Sequence, residues 1–158
     1  MEPLPSTGIS KVLSLCELLD DHGGRENLFR LGQDLHMALG ELLLLVKGAQ
    51  MLKLAEMVGD DTVLTPLGKQ LLGAGNGEKK LLLRQQMLQL NLFKHIVALL
   101  EQKGNQVPVD VIVEVLAMLL PQEQPRQLFT TLLNWGRYGE IFGYSRDTDQ
   151  MHLEKPAP

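Results

Sequence analysis

Leucine at helical spacing constrains the fold of this chain more than any other feature. Leucine occupies 34 of the 158 positions, whereas valine, isoleucine and threonine together occupy 20. Unbranched leucine is a better helix former than the β-branched residues. Along most of the chain the apolar residues recur at intervals of three and four, which is the period of a helix face. The sequence therefore predicts a mainly helical fold.

The first half of the chain is predicted as three short helices followed by a hairpin. The first helix ends at Gly23-Gly24, and the next two cover about residues 26–37 and 40–51. Two short apolar runs within Lys53–Thr65 flank a Gly/Asp turn, which predicts a β-hairpin. Thr65 then precedes Pro66, the preferred N-cap and first position of a further helix. This order is that of a winged-helix unit, a helix-turn-helix with a β-hairpin wing.

The same order returns in the second half. One long helix is predicted from Gly77 to about Lys103, followed by helices over Pro108–Leu119 and Gln124–Tyr138. Apolar residues on both sides of the turn at 145–149 predict a second hairpin. The predicted fold is thus mainly α, with two winged-helix-like units in tandem. Its parts are a linker or disordered terminus at 1–7, a first unit at 8–75, a second unit packed on it at 76–155, and a tail at 156–158.

Catalytic and cofactor motifs are missing from the sequence. The four histidines lie in four separate predicted elements, and none has the spacing of a metal-ligand pair. The glycine-rich residues 73–77 join two predicted helices instead of following a strand, which argues against a phosphate-binding loop. Asp20-Asp21-His22 resembles part of an acid/base set, but such polar residues are usual at a helix end. We therefore expect no enzyme activity, no cofactor and no bound metal.

The cysteine content and the short apolar runs bear on where the chain resides. Cys16 is the single cysteine and can form no disulfide within one chain, which is typical of the reducing cytoplasm. The longest purely apolar run, Leu42–Val46, is far below the roughly 20 residues that a membrane span needs. The first residues lack the basic and apolar regions of a secretory signal. We expect a cytoplasmic protein with no segment inserted into a membrane.

The charge pattern bears on nucleic-acid binding, because the third helix of a winged-helix unit commonly enters the major groove of DNA. The third helix of the first unit has Lys47 as its one cation. Arg126 and Arg137 bracket the third helix of the second unit, but Glu123 and Glu140 flank it. Phosphate contacts supply most non-specific affinity, and the formal net charge of the chain is -4. The electrostatics therefore argue against a nucleic-acid partner. A winged-helix DNA-binding transcriptional regulator, which the two winged-helix patterns alone suggest, is the alternative function.

Residues 132–144 form the most distinctive segment, because they hold the single tryptophan and both tyrosines. Two interpretations stay open: the segment is a recognition surface, or it anchors the core of the second unit. Arg137 lies one turn from Asn134 on the predicted helix, where it fits either an anionic ligand or an internal ion pair. The candidate interaction or anchoring residues are Asn134, Trp135, Arg137, Tyr138 and Tyr144.

The chain resembles a known family, the AAA-associated C-terminal domain that follows the ATPase of nitrate, sulfonate and bicarbonate type ABC transporters. The resemblance covers about residues 3–155 and is strongest at Asn134-Trp135-Gly136-Arg137-Tyr138 followed by Glu140-Ile141-Phe142. Further matching segments are Leu15-Cys16-Glu17-Leu18-Leu19 with His22-Gly23-Gly24-Arg25, Leu28-Phe29-Arg30-Leu31 and Leu64-Thr65-Pro66-Leu67-Gly68. The family usually has Asp at the position of Asn134.

The resemblance implies a non-catalytic accessory or regulatory domain that binds the ATP-binding subunit of such an importer. It implies a cytoplasmic chain held at the inner membrane through the transporter. ABC ATPases act in pairs, and leucines occupy more than one side of the long helix predicted at 77–103, so we also expect a homodimer. The alternative is that the first unit covers the second apolar stripe within one chain.

Overall fold

A computed structural model describes residues 1–154, which form eight α-helices and six β-strands. In chain order these are α1 (Ile9–Asp21), β1 (Arg25–Asn27), α2 (Leu28–Asp34), α3 (Leu39–Met51), β2 (Ala55–Val58), β3 (Asp61–Leu64), α4 (Pro66–Leu72), α5 (Asn76–Met87), α6 (Asn91–Gln102), β4 (Gln106–Pro108), α7 (Val109–Leu119), α8 (Pro125–Tyr138), β5 (Phe142–Ser145) and β6 (Gln150–Leu153). The prediction of a mainly helical fold is confirmed, with two small antiparallel sheets. The predicted tail at 156–158 lies outside the described residues.

The chain divides into two compact units. The N-terminal unit is Thr7–Leu82, and the C-terminal unit combines Met1–Ser6 with the chain from Leu83 onward. The segment 1–7, predicted as a linker or disordered terminus, has no helix or strand of its own, yet Leu4 and Pro5 are buried. Gln127 Nε2 donates a hydrogen bond to Ser6 Oγ, which holds this segment in the C-terminal unit.

The N-terminal unit has a leucine-rich core between its helices and a three-stranded sheet. Helix α1 packs against α3 and α4, and the strand order is β1-β3-β2. The hairpin predicted within Lys53–Thr65 is confirmed as β2 and β3. Thr65 Oγ1 accepts a hydrogen bond from Gly68 N at 3.0 Å, so the predicted N-cap of α4 is confirmed too.

Strand β1 was not predicted, and it displaces the start of the second helix. Arg25 is paired with Val63 of β3, and β1 takes residues that the sequence assigned to a helix over 26–37. Asn27 Oδ1 then accepts a hydrogen bond from Phe29 N at 2.9 Å and caps α2, which begins at Leu28. A three-residue strand is too short to show an alternating pattern of apolar and polar residues. Its partner strand also lies far along the chain, so the neighbouring residues do not reveal it.

The C-terminal unit repeats the arrangement of the N-terminal unit. Both contain the order helix, strand, helix, helix, strand, strand, and the second sheet has the order β4-β6-β5. Equivalent backbone hydrogen bonds occur in the two units. One joins Leu64 N to Gly24 O at 2.8 Å, and its counterpart joins Leu153 N to Asn105 O at 3.1 Å. The repeated order expected from the sequence is therefore present as two structurally similar halves.

The prediction of one long helix over 77–103 is wrong. Helix α5 ends at Met87, and Leu90 adopts an extended conformation (φ -76°, ψ 133°) before α6 begins at Asn91. The positions of the buried residues explain why the helix is interrupted between α5 and α6. On one continuous helix at 100° per residue, Leu83 and Ile96 would point about 140° apart, toward different sides of the helix. Both are fully buried, and the bend allows each helix to bury a single face.

The same break removes the reason for expecting a homodimer from the long helix. The apolar stripes at 81–92 belong to two helices with different directions, so they do not require a second chain. Leu83, Met87 and Leu92 are buried within the chain, whereas Leu81 is 52% exposed. Self-association stays a prediction.

Candidate functional site

Helix α8 separates the candidate residues between its two faces. Pro125 occupies the first helical position, and the buried residues recur at helical intervals. The buried residues are Leu128, Thr131, Leu132, Trp135 and Gly136. The exposed residues are Arg126, Gln127, Thr130, Asn134 and Arg137. Trp135 therefore faces the core of the C-terminal unit, while Asn134 and Arg137 lie on the opposite, outer face.

The residues beneath α8 are packed without spare room. Trp135 is fully buried, and so is Phe142, which stacks on Phe93 with ring centroids 5.6 Å apart and planes 4° apart. A Cβ atom added to Gly136 would lie 2.2 Å from Cδ2 of Phe142. Only glycine allows β5 to pack this closely against the helix. Of the two open interpretations, the burial of Trp135 favours the anchoring one, which stays a prediction.

A cleft of about 510 Å³, here called the α8 cleft, lies along the outer face of the helix. It is lined by Phe129, Thr130, Leu133, Asn134, Arg137 and Tyr138. Phe129, Leu133 and Tyr138 are partly exposed, which leaves apolar and aromatic surface beside the polar side chains. Three of the five candidate residues are thus brought together in this cleft.

A second cleft of about 240 Å³, here called the hairpin cleft, lies between the end of α8 and the β5–β6 hairpin. Its lining residues are Arg137, Glu140, Phe142, Gly143, Tyr144, His152 and Glu154. Glu140 has a positive φ of 57° where the chain turns from α8 into β5. Arg137 lines both clefts, so the structure connects Tyr144 with Asn134 and Tyr138 through this one side chain.

The hairpin cleft is lined in part by an acid–imidazole pair, His152 and Glu154. His152 Nε2 lies 2.8 Å from Glu154 Oε1. A Cβ atom on Gly143 would lie 2.2 Å from that oxygen and 2.3 Å from the imidazole nitrogen, so the pair rests directly on the strand backbone. Tyr144 donates a hydrogen bond from its hydroxyl to Asp149 Oδ1 at 2.6 Å, and this bond raises the pKa of Tyr144.

Helix α8 also differs from its neighbours in charge. Among the eight helices of residues 1–154, it alone has two arginines or lysines and no carboxylate. Arg126 lies 3.9 Å from Asp110 of α7, a long contact between side chains that are both more than three-quarters exposed. Within the described chain, the Arg137 guanidinium has no ion-pair partner. The internal ion pair considered for Arg137 is therefore not formed among these residues.

Several residues that line the two clefts were not among the candidates predicted from the sequence. Phe129, Thr130 and Leu133 share the outer part of α8 with the candidate residues, and helical periodicity was the signal that could have added them. His152 and Glu154 reach the hairpin cleft through strand pairing, in which Gly143 lies opposite His152. Over residues 1–154, no group of three or more His, Cys, Asp or Glu side chains is placed to hold a metal ion.

The two similar units and the outer surface of α8 define a small, mainly helical domain of repeated architecture. A family model for the C-terminal AAA-associated domain matches residues 29–145, well over half of the chain. The chain belongs to this family of domains associated with AAA ATPases, as its residues predicted. No curated protein and no solved structure matches the chain. Within residues 1–154, none of the helices has the length and apolar character to cross a membrane.

Proposed function

We propose that this domain is a non-catalytic accessory and regulatory module, which binds the ATP-binding subunit of a nitrate, sulfonate or bicarbonate type ABC importer. Membership of the C-terminal AAA-associated family supports an ATPase partner. The transporter type rests on the resemblance of the 134–142 segment. The module acts in the cytoplasm, at the inner membrane through the transporter, and needs no cofactor.

The observation that carries the proposal is the surface around Arg137. Arg137 is exposed between the α8 cleft and the hairpin cleft, with Tyr138 and Tyr144 partly exposed on either side. Arginine and tyrosine are enriched at the energetically dominant positions of protein interfaces, because each combines apolar contact area with directed hydrogen bonds. A mixed surface of this kind fits a protein partner better than a small apolar ligand.

We further propose that each unit is winged-helix-like. The element order, with a three-stranded antiparallel sheet that closes on the β2–β3 or β5–β6 hairpin, supports this assignment. In that arrangement α3 and α8 are the helices that contact a partner. Helix α3 exposes Leu39 and Leu43 whereas α8 exposes polar residues, so the two units offer different surfaces.

DNA binding is a second candidate, favoured by one observation. The outer face of α8 exposes Arg126, Thr130, Asn134 and Arg137, side chains that are able to contact phosphates and base edges. The turn of the neighbouring hairpin opposes DNA binding, because it exposes two carboxylates, Asp147 and Asp149, against one cation, Arg146. A gel shift with random duplex at low salt should show no complex at micromolar protein, and a salt-sensitive complex would favour this candidate.

Calorimetry of the chain with the cognate ATP-binding subunit tests the main proposal. We expect saturable binding and a changed ATPase rate in the assembled transporter. Arg137→Ala should weaken binding, whereas Arg30→Ala, a matched exposed arginine of α2 outside both clefts, should not. Absence of both binding and any effect on ATP hydrolysis for the unaltered chain would refute the proposal.

A further inference from the structure

The outer face of α8 carries a basic strip of defined length. Arg126 and Arg137 are eleven residues apart, which corresponds to three turns with a residual rotation of about 20° and a rise of about 16 Å. They therefore lie on the same side of the helix, near its two ends. Thr130 and Asn134, both exposed, lie between them.

Both guanidinium groups are available to a partner. Arg137 has no ion-pair partner in the part of the chain that the structure describes. The 3.9 Å contact between Arg126 and Asp110 is highly exposed, and solvent screening leaves such a pair with little mutual stabilisation. The helix itself holds no carboxylate, although the formal net charge of the chain is -4. The strip thus presents two arginines with no carboxylate of the helix between them, although Asp110, Glu123 and Glu140 flank the helix.

Apolar surface accompanies this strip. The α8 cleft of about 510 Å³ places Phe129, Leu133 and Tyr138 beside Arg137. A ligand that satisfies both features needs carboxylates spaced along one side and an apolar side chain between them. An acidic amphipathic segment of a protein has this chemistry. Duplex DNA matches the charge of the strip but offers nothing to the apolar residues of the cleft.

We propose that the outer face of α8 docks an acidic amphipathic segment of a partner protein. Two carboxylates about 16 Å apart pair with Arg126 and Arg137, and an apolar side chain between them enters the α8 cleft. This inference rests on the proposed function as a protein-interaction module and specifies the surface and the chemistry of the contact.

The test uses the full chain and two labelled helical peptides in fluorescence anisotropy. The acidic peptide has two glutamates about three turns apart with leucine between them, and the control peptide has glutamine at the same two positions. We expect the acidic peptide to bind more tightly and its affinity to fall with salt. Arg126→Glu and Arg137→Glu should each weaken binding at least about tenfold, while Arg30→Glu should leave it unchanged.

Equal binding of the two peptides, no binding, or unchanged affinity in the α8 variants would overturn the proposal. Duplex DNA that binds as tightly as the acidic peptide, and through the same arginines, would also overturn it. Binding of the ATP-binding subunit separates this failure from that of the proposed function. If the α8 variants still bind that subunit as the unaltered chain does, the docking surface and the role of Arg137 are refuted, while binding of the ATP-binding subunit by this domain stands. If the acidic peptide binds and the ATP-binding subunit does not, the docking surface stands and the proposed function is refuted.

Discussion

Replacing Trp135 with alanine tests the anchoring role of the aromatic segment. Trp135 is fully buried on the inner face of α8. A buried aromatic side chain removes about 150–250 Å² from water, which corresponds to ~4–6 kcal/mol at ~25 cal/mol per Å². That figure is an upper bound, since an unfolded chain already covers part of this surface. Large-to-alanine changes of buried aromatics cost about 3–5 kcal/mol, and we expect Trp135→Ala to fall in that range.

Such a loss is a large part of the roughly 5–15 kcal/mol by which most domains are stable. Urea denaturation followed by circular dichroism measures it, because the substitution removes the single tryptophan as a fluorescence probe. Met118→Ala is the matched control in the same unit, since Met118 is 80% exposed and its truncation should change the free energy of unfolding by less than about 0.5 kcal/mol. A Trp135→Ala variant as stable as this control would refute the anchoring role.

Three further predictions concern packing and titration. Gly136→Ala should destabilise the chain in urea denaturation by about 1–3 kcal/mol, because its Cβ would meet the fixed ring of Phe142, whereas Gly77→Ala in the open start of α5 should not destabilise it. Burial raises the pKa of the Cys16 thiol to about 12, so Cys16 should react with a thiol reagent at pH 8 no faster than global unfolding exposes it. The pKa of Tyr144 is raised above 10.0 by its hydroxyl hydrogen bond, so the protonated phenol stabilises the folded state at neutral pH and that contribution disappears as pH rises through the folded pKa. The difference in stability between the native chain and Tyr144→Phe should therefore vanish at high pH, and a difference that persists there would contradict this cause.

Much of the fold could be predicted from the sequence, because the residue patterns that indicate it are local. The three- and four-residue spacing of leucine reports which side of a helix is buried, and it located α1, α3, α7 and α8 to within a few residues. The Thr65-Pro66 start of α4 and the Gly/Asp turn of the first hairpin depend on the conformations of a few neighbouring residues. Helical periodicity also separates Trp135 from Asn134 and Arg137, since adjacent positions on a helix point about 100° apart.

The remaining features arise from contacts between distant parts of the chain. No glycine or proline marks the break between α5 and α6; it exists because Leu83 and Ile96 must both be buried. Strand β1 exists because it pairs with β3, and Gly143 meets His152 because β5 pairs with β6 in one register. The hairpin cleft beside Arg137 follows from the same pairing, whereas the α8 cleft is lined by residues of the one helix. The sequence alone determined most of the helices, the turn of the first hairpin and the Thr65 cap, because those preferences act over a few bonds. Tertiary structure decided where a helix bends and which side chains share a cleft, because those choices depend on burying surfaces that lie far apart along the chain.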